Sequence, residues 1–199
     1  MPRIRDSKDN AILGKLQRQF PYQFQQWSPI REGLALNLRP GWHGLFAQLC
    51  EEVHQVLSPA QRLAFSWLAV ASRFGAMRSY FAGDLNPDVS LLVKEAEQRS
   101  TTICELCGNH GSLRRFGGVW STRCVYHGME LAARTLVIRE HRLAHVLEPQ
   151  IEQRLAQWMD TPDQRWGGQS PRIVSATPLG TSLMLELLML QLEPAQRMH

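Results

Sequence analysis

Three cysteines and one histidine have the residue types and spacing of a metal site. Cys104, Cys107, Cys124 and His127 form the pattern C-x2-C-x16-C-x2-H. Each close pair can bind one side of an ion, while the intervening residues bring the second pair to the other side. Three thiolates and one imidazole favour tetrahedral zinc. Four protein ligands leave no coordination position for water, so the pattern predicts a structural zinc.

The residues around these ligands predict the shape of the unit. Gly108 follows Cys107 and would let backbone amides approach the thiolate. Gly117-Gly118 predicts the turn of a short hairpin, and a helical run follows the second ligand pair. A knuckle, a hairpin and a helix are typical of a treble-clef or ribbon-like unit, here at 102–128. His110 remains an alternative to His127 as the fourth ligand.

No catalytic set of comparable strength is present in the sequence. Ser121, His127 and Glu130 lie close together, but the histidine is better assigned to the metal. Gly117-Gly118 lacks the lysine and following helix of a phosphate-binding loop. We therefore expect a protein that is not an enzyme.

Composition indicates a folded protein of one sizeable domain or two small ones. The chain has 199 residues, 44% of them hydrophobic, with six tryptophans. It has no run of eighteen apolar residues and no apolar stretch typical of a signal peptide near its start. Three of the four cysteines are assigned to metal, which leaves no disulfide framework. We expect a cytoplasmic protein without a membrane segment.

The charge distribution leaves two interpretations open. The formal charge is +4, and residues 101–145 carry six basic residues against three acidic ones. A basic zinc unit can bind phosphates, with Arg114, Arg115 and Arg123 as the candidates. Scattered arginines can also form an ordinary solvated surface.

Apolar periodicity and capping residues predict a mainly helical chain. The predicted elements are a helix from Gly41 to Leu57, a helix from Ser58-Pro59 to about Phe74, an extended segment over Ala76–Phe81, a helix from Asn86-Pro87 to Ser100, and a helix after the zinc unit that reaches roughly His145. Further helix starts are predicted at Pro149, at Asp160-Thr161-Pro162, at Ser170-Pro171 and at Thr177-Pro178.

The last predicted helix is apolar on nearly every side. Eight of the ten positions from Leu183 to Leu192 are apolar, so the helix requires burial on more than one face. It is therefore either a central core helix or part of an interface with another molecule.

Residues 156–193 resemble the C-terminal domain of Xre/MbcA/ParS-type antitoxins. The matching positions are Trp158, Thr161-Pro162, Gly167-Gly168, Ser170-Pro171, Thr177 and Gly180. The resemblance implies an all-helical domain that dimerises and covers the active site of a RES-domain toxin, an enzyme that attacks NAD or ADP-ribosylates a target. The N-terminal helix-turn-helix typical of such antitoxins has no counterpart in this sequence.

Residues 41–128 resemble a bacterial and phage family with a zinc motif. The matching positions are Gly41-Trp42, Phe74-Gly75, Tyr80, Ala96-Glu97 and the ligand pattern itself. This resemblance implies architecture only.

Together these observations predict a mainly α protein with an embedded zinc unit and a small C-terminal helical domain. We expect a partly ordered lead-in at 1–40, a helical domain with the zinc unit at 41–147, and an antitoxin-like binding domain at 148–199. The expected function is to neutralise a partner protein by occlusion, with a homodimer as the expected assembly. The predicted partner-binding residues are Leu179, Leu183, Leu187, Leu190 and Arg197. The alternatives are a nucleic-acid-binding regulator and an inhibitor of a host enzyme encoded by a phage or plasmid.

Overall fold

A computed structural model of the chain describes residues 7–25, 37–83, 86–140 and 148–192, and for 7–10 it describes the backbone only. The fold is mainly α, with two small antiparallel sheets. The chain divides into two compact units, Met1–Leu113 and Arg114–His199.

The described residues of the first unit form four helices and one hairpin. In chain order they are α1 (Ser7–Gln19), α2 (His43–Val56), α3 (Pro59–Ala64), β1 (Ser66–Arg73), β2 (Ala76–Ala82) and α4 (Pro87–Ser100). Short 3-10 turns occur at Pro21–Phe24 and Pro40–Trp42.

Within the ranges that the structure describes, the second unit has four helices, most of one hairpin and a 3-10 turn at Gln164–Trp166. Its elements are β3 (Ser112–Phe116, which begins just before the boundary), β4 (Val119–Arg123), α5 (Val125–Glu140), α6 (Glu148–Asp160), α7 (Pro171–Val174) and α8 (Pro178–Leu192).

The core of the first unit forms around the apolar stripe of α2. Phe46 packs edge-on to Trp67, and both side chains are almost fully buried. Leu16 of α1, Phe20 after it and Phe24 of the 3-10 turn add to this core. Part of the predicted lead-in is therefore folded into the unit.

The predicted helix from Ser58-Pro59 to Phe74 is wrong beyond its first turn and a half. Ser58 caps the helix, as the sequence predicts, and also forms a capping box with Gln61, but α3 ends at Ala64 and β1 follows. The apolar positions Trp67 and Val70 fit either period. Pairing of β1 with β2, in register from Ser66–Ala82 to Arg73–Ala76 around one irregularity, decides in favour of the strand.

The other predicted elements of the first unit are present. The helix over α2, the extended segment over β2 and the helix over α4 are all confirmed. Asn86 caps α4 by accepting a hydrogen bond from the Asp88 backbone N–H. That cap was readable from the sequence because asparagine before proline is a strong helix start.

The core of the second unit lies where α5 packs on α8. Ala132 and Leu136 of α5 and Met184 and Leu188 of α8 are fully buried. Ala132 and Ala133 on α5 leave room for the larger residues of α8. This packing accounts for the buried apolar residues of α8. The helix starts predicted at Pro149, Ser170-Pro171 and Thr177-Pro178 are confirmed.

The predicted start at Asp160-Thr161-Pro162 is wrong as an α-helix start. Only a 3-10 turn follows, and its cap is Asp163, which accepts a hydrogen bond from the Arg165 backbone N–H. Gly167 then adopts a left-handed conformation at φ 65° and ends the turn. The predicted end of α5 near His145 lies outside the described residues.

Among the helices of the described ranges, none combines the length and hydrophobicity needed to cross a bilayer.

Candidate metal centre

The structure brings together the four residues that the sequence singles out as metal ligands. Cys104 and Cys107 lie in the loop between α4 and β3, Cys124 lies between β4 and α5, and His127 lies in the first turn of α5. One ligand atom from each residue lies within 4.8 Å of the others. A group of this composition and size could hold a metal ion.

The distances within the group suit tetrahedral coordination. An ion with metal–sulfur bonds of about 2.3 Å places its sulfur ligands roughly 3.8 Å apart, inside the observed limit. The Nδ1 atom of His127 lies 3.2 Å from the Sγ atom of Cys124, close to the spacing of two ligands on one ion. One helical turn supplies this pair, because residues three apart lie on the same face of a helix.

Burial and redox state agree with a ligand role. Cys104 and Cys124 are buried, Cys107 is exposed, and none of them forms a disulfide. His127 is half-buried. Three thiols that lie this close together without forming a disulfide fit the binding of one shared cation. Such a cation stabilises the thiolate form.

Backbone hydrogen bonds hold the first ligand pair in a tight loop. The Gly108 N–H donates to the Cys104 carbonyl at 2.9 Å, and the Cys104 N–H donates to the Asn109 carbonyl at 2.7 Å. Gly108 has φ +77°, a conformation that glycine adopts without strain. This is the knuckle that the sequence predicts, and it aims both cysteines of the pair into one space.

The segment before α2 forms hydrogen bonds to the backbone of this knuckle. The Gly41 N–H donates to the Glu105 carbonyl at 3.0 Å, and the indole Nε1–H of Trp42 donates to the Ile103 carbonyl at 2.8 Å. Sequence reasoning identified Gly41-Trp42 by resemblance but did not predict this contact. The only signal was a glycine-tryptophan pair after proline.

His110 does not belong to the group of four. It is exposed, and its backbone forms an isolated bridge with Ile103. Cys50 is also separate, since it is fully enclosed in the core of the first unit. Burial raises the pKa of the Cys50 thiol, so it stays protonated.

The predicted partner-binding residues occupy different environments. Leu179, Leu183 and Leu190 are 80%, 54% and 64% exposed. Leu187 is partly buried against the core of the second unit. Arg197 lies outside the described residues.

The three arginines proposed as phosphate ligands are not equivalent. Arg114 forms an ion pair with Glu186 at 2.7 Å, and the Arg123 Nε–H donates to the Ser121 hydroxyl at 2.7 Å. Arg115 is exposed. Two of the three guanidinium groups thus have partners within the chain.

Residues that carry the antitoxin resemblance organise the local fold. The Gly180 N–H donates to the Thr177 hydroxyl at 3.1 Å and so caps α8. A methyl group at Gly180 would lie 1.8 Å from the Val174 carbonyl oxygen, so only glycine fits where α7 meets α8. Trp158 packs edge-on to Trp166 with ring centres 6.4 Å apart. These residues specify the shape of the helical unit.

Comparisons with protein families, with curated proteins and with solved structures give no match for this chain.

Proposed function

We propose that this chain is a non-enzymatic binding protein that neutralises a partner protein by covering it with the exposed face of α8. The observation that carries the proposal is the stripe of exposed leucines, Leu179, Leu183 and Leu190, on a helix whose other face is core. Positions separated by four and seven residues lie on one side of a helix.

Solvent exposure of this stripe favours association. Each leucine removed from water contributes about 1.5 to 3 kcal/mol when fully buried. Ile173 of the neighbouring α7 is also 61% exposed. Exposed apolar side chains grouped on one side of a helix are typical of interaction sites on proteins, whereas a helix with a purely structural role carries polar residues on its exposed side.

The resemblance of 156–193 to antitoxins supports a RES-domain toxin as the partner. On that proposal α8 docks beside the toxin active site, and Arg197 in the tail pairs with an anionic group there. A homodimer formed through the same helical unit belongs to this proposal. The intramolecular partners of Arg114 and Arg123 weigh against the nucleic-acid alternative.

The metal in this proposal is a structural zinc in a treble-clef or ribbon-like unit. Three cysteines and a histidine match the ligand preference of zinc, and four protein ligands leave no site for catalysis. Thiolate ligation suits a reducing compartment such as the cytoplasm.

Co-expression with a RES-domain toxin from the same source genome tests the function. The chain should restore growth and preserve cellular NAD. The double variant Leu179→Glu/Leu183→Glu should lose protection, because two charges cannot be buried unpaired in an apolar interface. Leu63→Glu is the matched control, since Leu63 is 77% exposed in the other unit and its change should leave protection intact.

The oligomeric state separates toxin binding from self-association. If the double variant converts a dimer to a monomer but still protects cells, the stripe serves only self-association and the proposal of toxin docking fails. Full protection by a double variant that remains folded would equally exclude the stripe as the toxin-binding surface.

A further inference from the structure

A cavity of about 870 Å³ lies within the second unit, apart from the metal ligands. Three elements form it: the β3–β4 hairpin, α5 and α8. Cavities of roughly 300 to 1,000 Å³ are the usual size for binding small organic molecules.

Part of the cavity lining is apolar and aliphatic. It consists of Ile138 of α5 and Met189, Leu190 and Leu192 of α8. No aromatic side chain lies among the described lining residues, so the cavity offers no surface on which a nucleobase could stack. The apolar residues suit a flexible hydrocarbon chain.

The charged part of the cavity lining is mainly positive. Three arginines, Arg114, Arg115 and Arg139, line the cavity against a single acid, Glu186. Arg114 is paired with Glu186 at 2.7 Å. Arg115 and Arg139 are exposed and have no ion pair or side-chain hydrogen bond among the described residues. Two guanidinium groups of the lining are therefore available to a ligand.

The hairpin tip forms a fixed wall of the cavity. Gly117 and Gly118 both have positive φ, at 55° and 102°, as a two-residue hairpin turn requires. A methyl group on Gly117 would lie 2.4 Å from Cγ2 of Thr135. The tip thus lies directly against α5, and the arginines of β3 are held beside the cavity.

We propose that this cavity binds a small organic anion in which a carboxylate or phosphate monoester caps an apolar chain. The guanidinium groups of Arg115 and Arg139 would bind the anionic group, since arginine presents paired N–H donors to carboxylate and phosphate oxygens. The chain of the ligand would lie on Ile138, Met189 and Leu190. The proposal does not rest on the partner proposed for the leucine stripe, although Leu190 belongs both to that stripe and to the cavity lining.

Calorimetric titration of the full-length protein tests this inference with decyl phosphate and decanoate, below their micellar concentrations. Decanol and decyltrimethylammonium have the same chain without the negative charge. We expect both anions to bind and the two other probes to bind at least tenfold more weakly. The ratio of decyl phosphate to decanoate affinity then shows which anionic group the site prefers.

Substitutions of the two exposed lining arginines localise the binding. Arg115→Gln and Arg139→Gln should each weaken anion binding about tenfold, and both residues are exposed, so the fold should survive. Arg154→Gln is the matched control, because Arg154 is an exposed arginine on α6 of the same unit that does not line the cavity. The affinity of the Arg154→Gln variant for both anions should equal that of the wild-type protein.

Three results would overturn the inference. One is an absence of anion binding, and another is equal binding of decanol, which would show that the arginines contribute nothing. The third is a change in sedimentation of Arg115→Gln or Arg139→Gln without any probe binding, which would assign the cavity to contact with a second copy of the chain.

Discussion

A methyl group added to Gly41 would lie 2.0 Å from the carbonyl oxygen of Cys104. This position lies just ahead of α2, and the cysteine opens the metal-binding knuckle. The backbone of Gly41 also donates to Glu105, so the two segments touch through main-chain atoms that cannot move aside cheaply. The knuckle is therefore positioned by a residue far from it in the chain.

Gly41→Ala should lower the free energy of unfolding by about 3 kcal/mol, because overpacking against backbone forces a shift of the knuckle. The φ of Gly41 is not positive, so the effect is steric. Urea unfolding measures it. Gly44→Ala is the control, because this glycine is exposed on α2 with open space around it. Alanine at this position should raise the free energy of unfolding by about 0.5 to 1 kcal/mol. Equal effects of the two substitutions would contradict the role of the Gly41 contact.

Thiol reactivity should separate Cys50 from the other three cysteines. After chelation of the metal, a thiol reagent at pH 8 should label three cysteines per folded chain, because ligand thiols become free once the cation leaves. Cys50 should react only on unfolding, since it is buried and burial raises its pKa. The Cys50→Ala variant is the control, and it should show three labelled thiols both when folded and when unfolded. Rapid labelling of four thiols in the folded protein would argue against this assignment.

Phe74 at the tip of the β1–β2 hairpin should carry backbone strain. Its φ is +51° and its side chain is 79% exposed, so little packing offsets a conformation that costs a non-glycine residue about 1 to 2 kcal/mol. Phe74→Gly and Phe74→Asn should therefore raise the free energy of unfolding by about 1 kcal/mol. Phe74→Ala retains Cβ and should gain little, and an equal gain from alanine would show that the ring, not the backbone, is responsible.

Asp163 should make a small, pH-dependent contribution to the free energy of unfolding. Hydrogen bonds from Arg165 lower the pKa of this carboxyl, so the stabilisation is present above the unfolded-state pKa of about 3.9 and is lost as pH falls through the lower folded-state value. The difference in unfolding free energy between wild type and Asp163→Asn should shrink below pH 4. Solvent exposure limits it to about 1 kcal/mol or less. If the difference in unfolding free energy between the two proteins grew as the pH falls, the Arg165 hydrogen bonds would not stabilise the ionised Asp163 carboxylate.

The metal-binding group was predictable because all four ligands lie in one short stretch whose spacing encodes the geometry. The β1 strand was not, since Trp67 and Val70 satisfy helical and extended patterns alike and hydrogen bonds to β2 decide between them. Capping residues such as Asn86 and Thr177 marked helix starts correctly, because their effect is local. Contacts between distant segments could not be predicted from a single sequence. These include Gly41 against Cys104, where a glycine-tryptophan pair does not reveal its partner, and the arginine-lined cavity, whose walls come from three separate elements.

Metal analysis of the purified protein, combined with X-ray absorption at the metal edge, shows whether the four ligand residues form a zinc site. We expect one zinc per chain with three sulfur ligands and one nitrogen ligand, and loss of the metal in Cys104→Ser and His127→Ala but not in His110→Ala. Far less than one metal ion per chain in wild type, or retention of the full metal complement by Cys104→Ser, would contradict it.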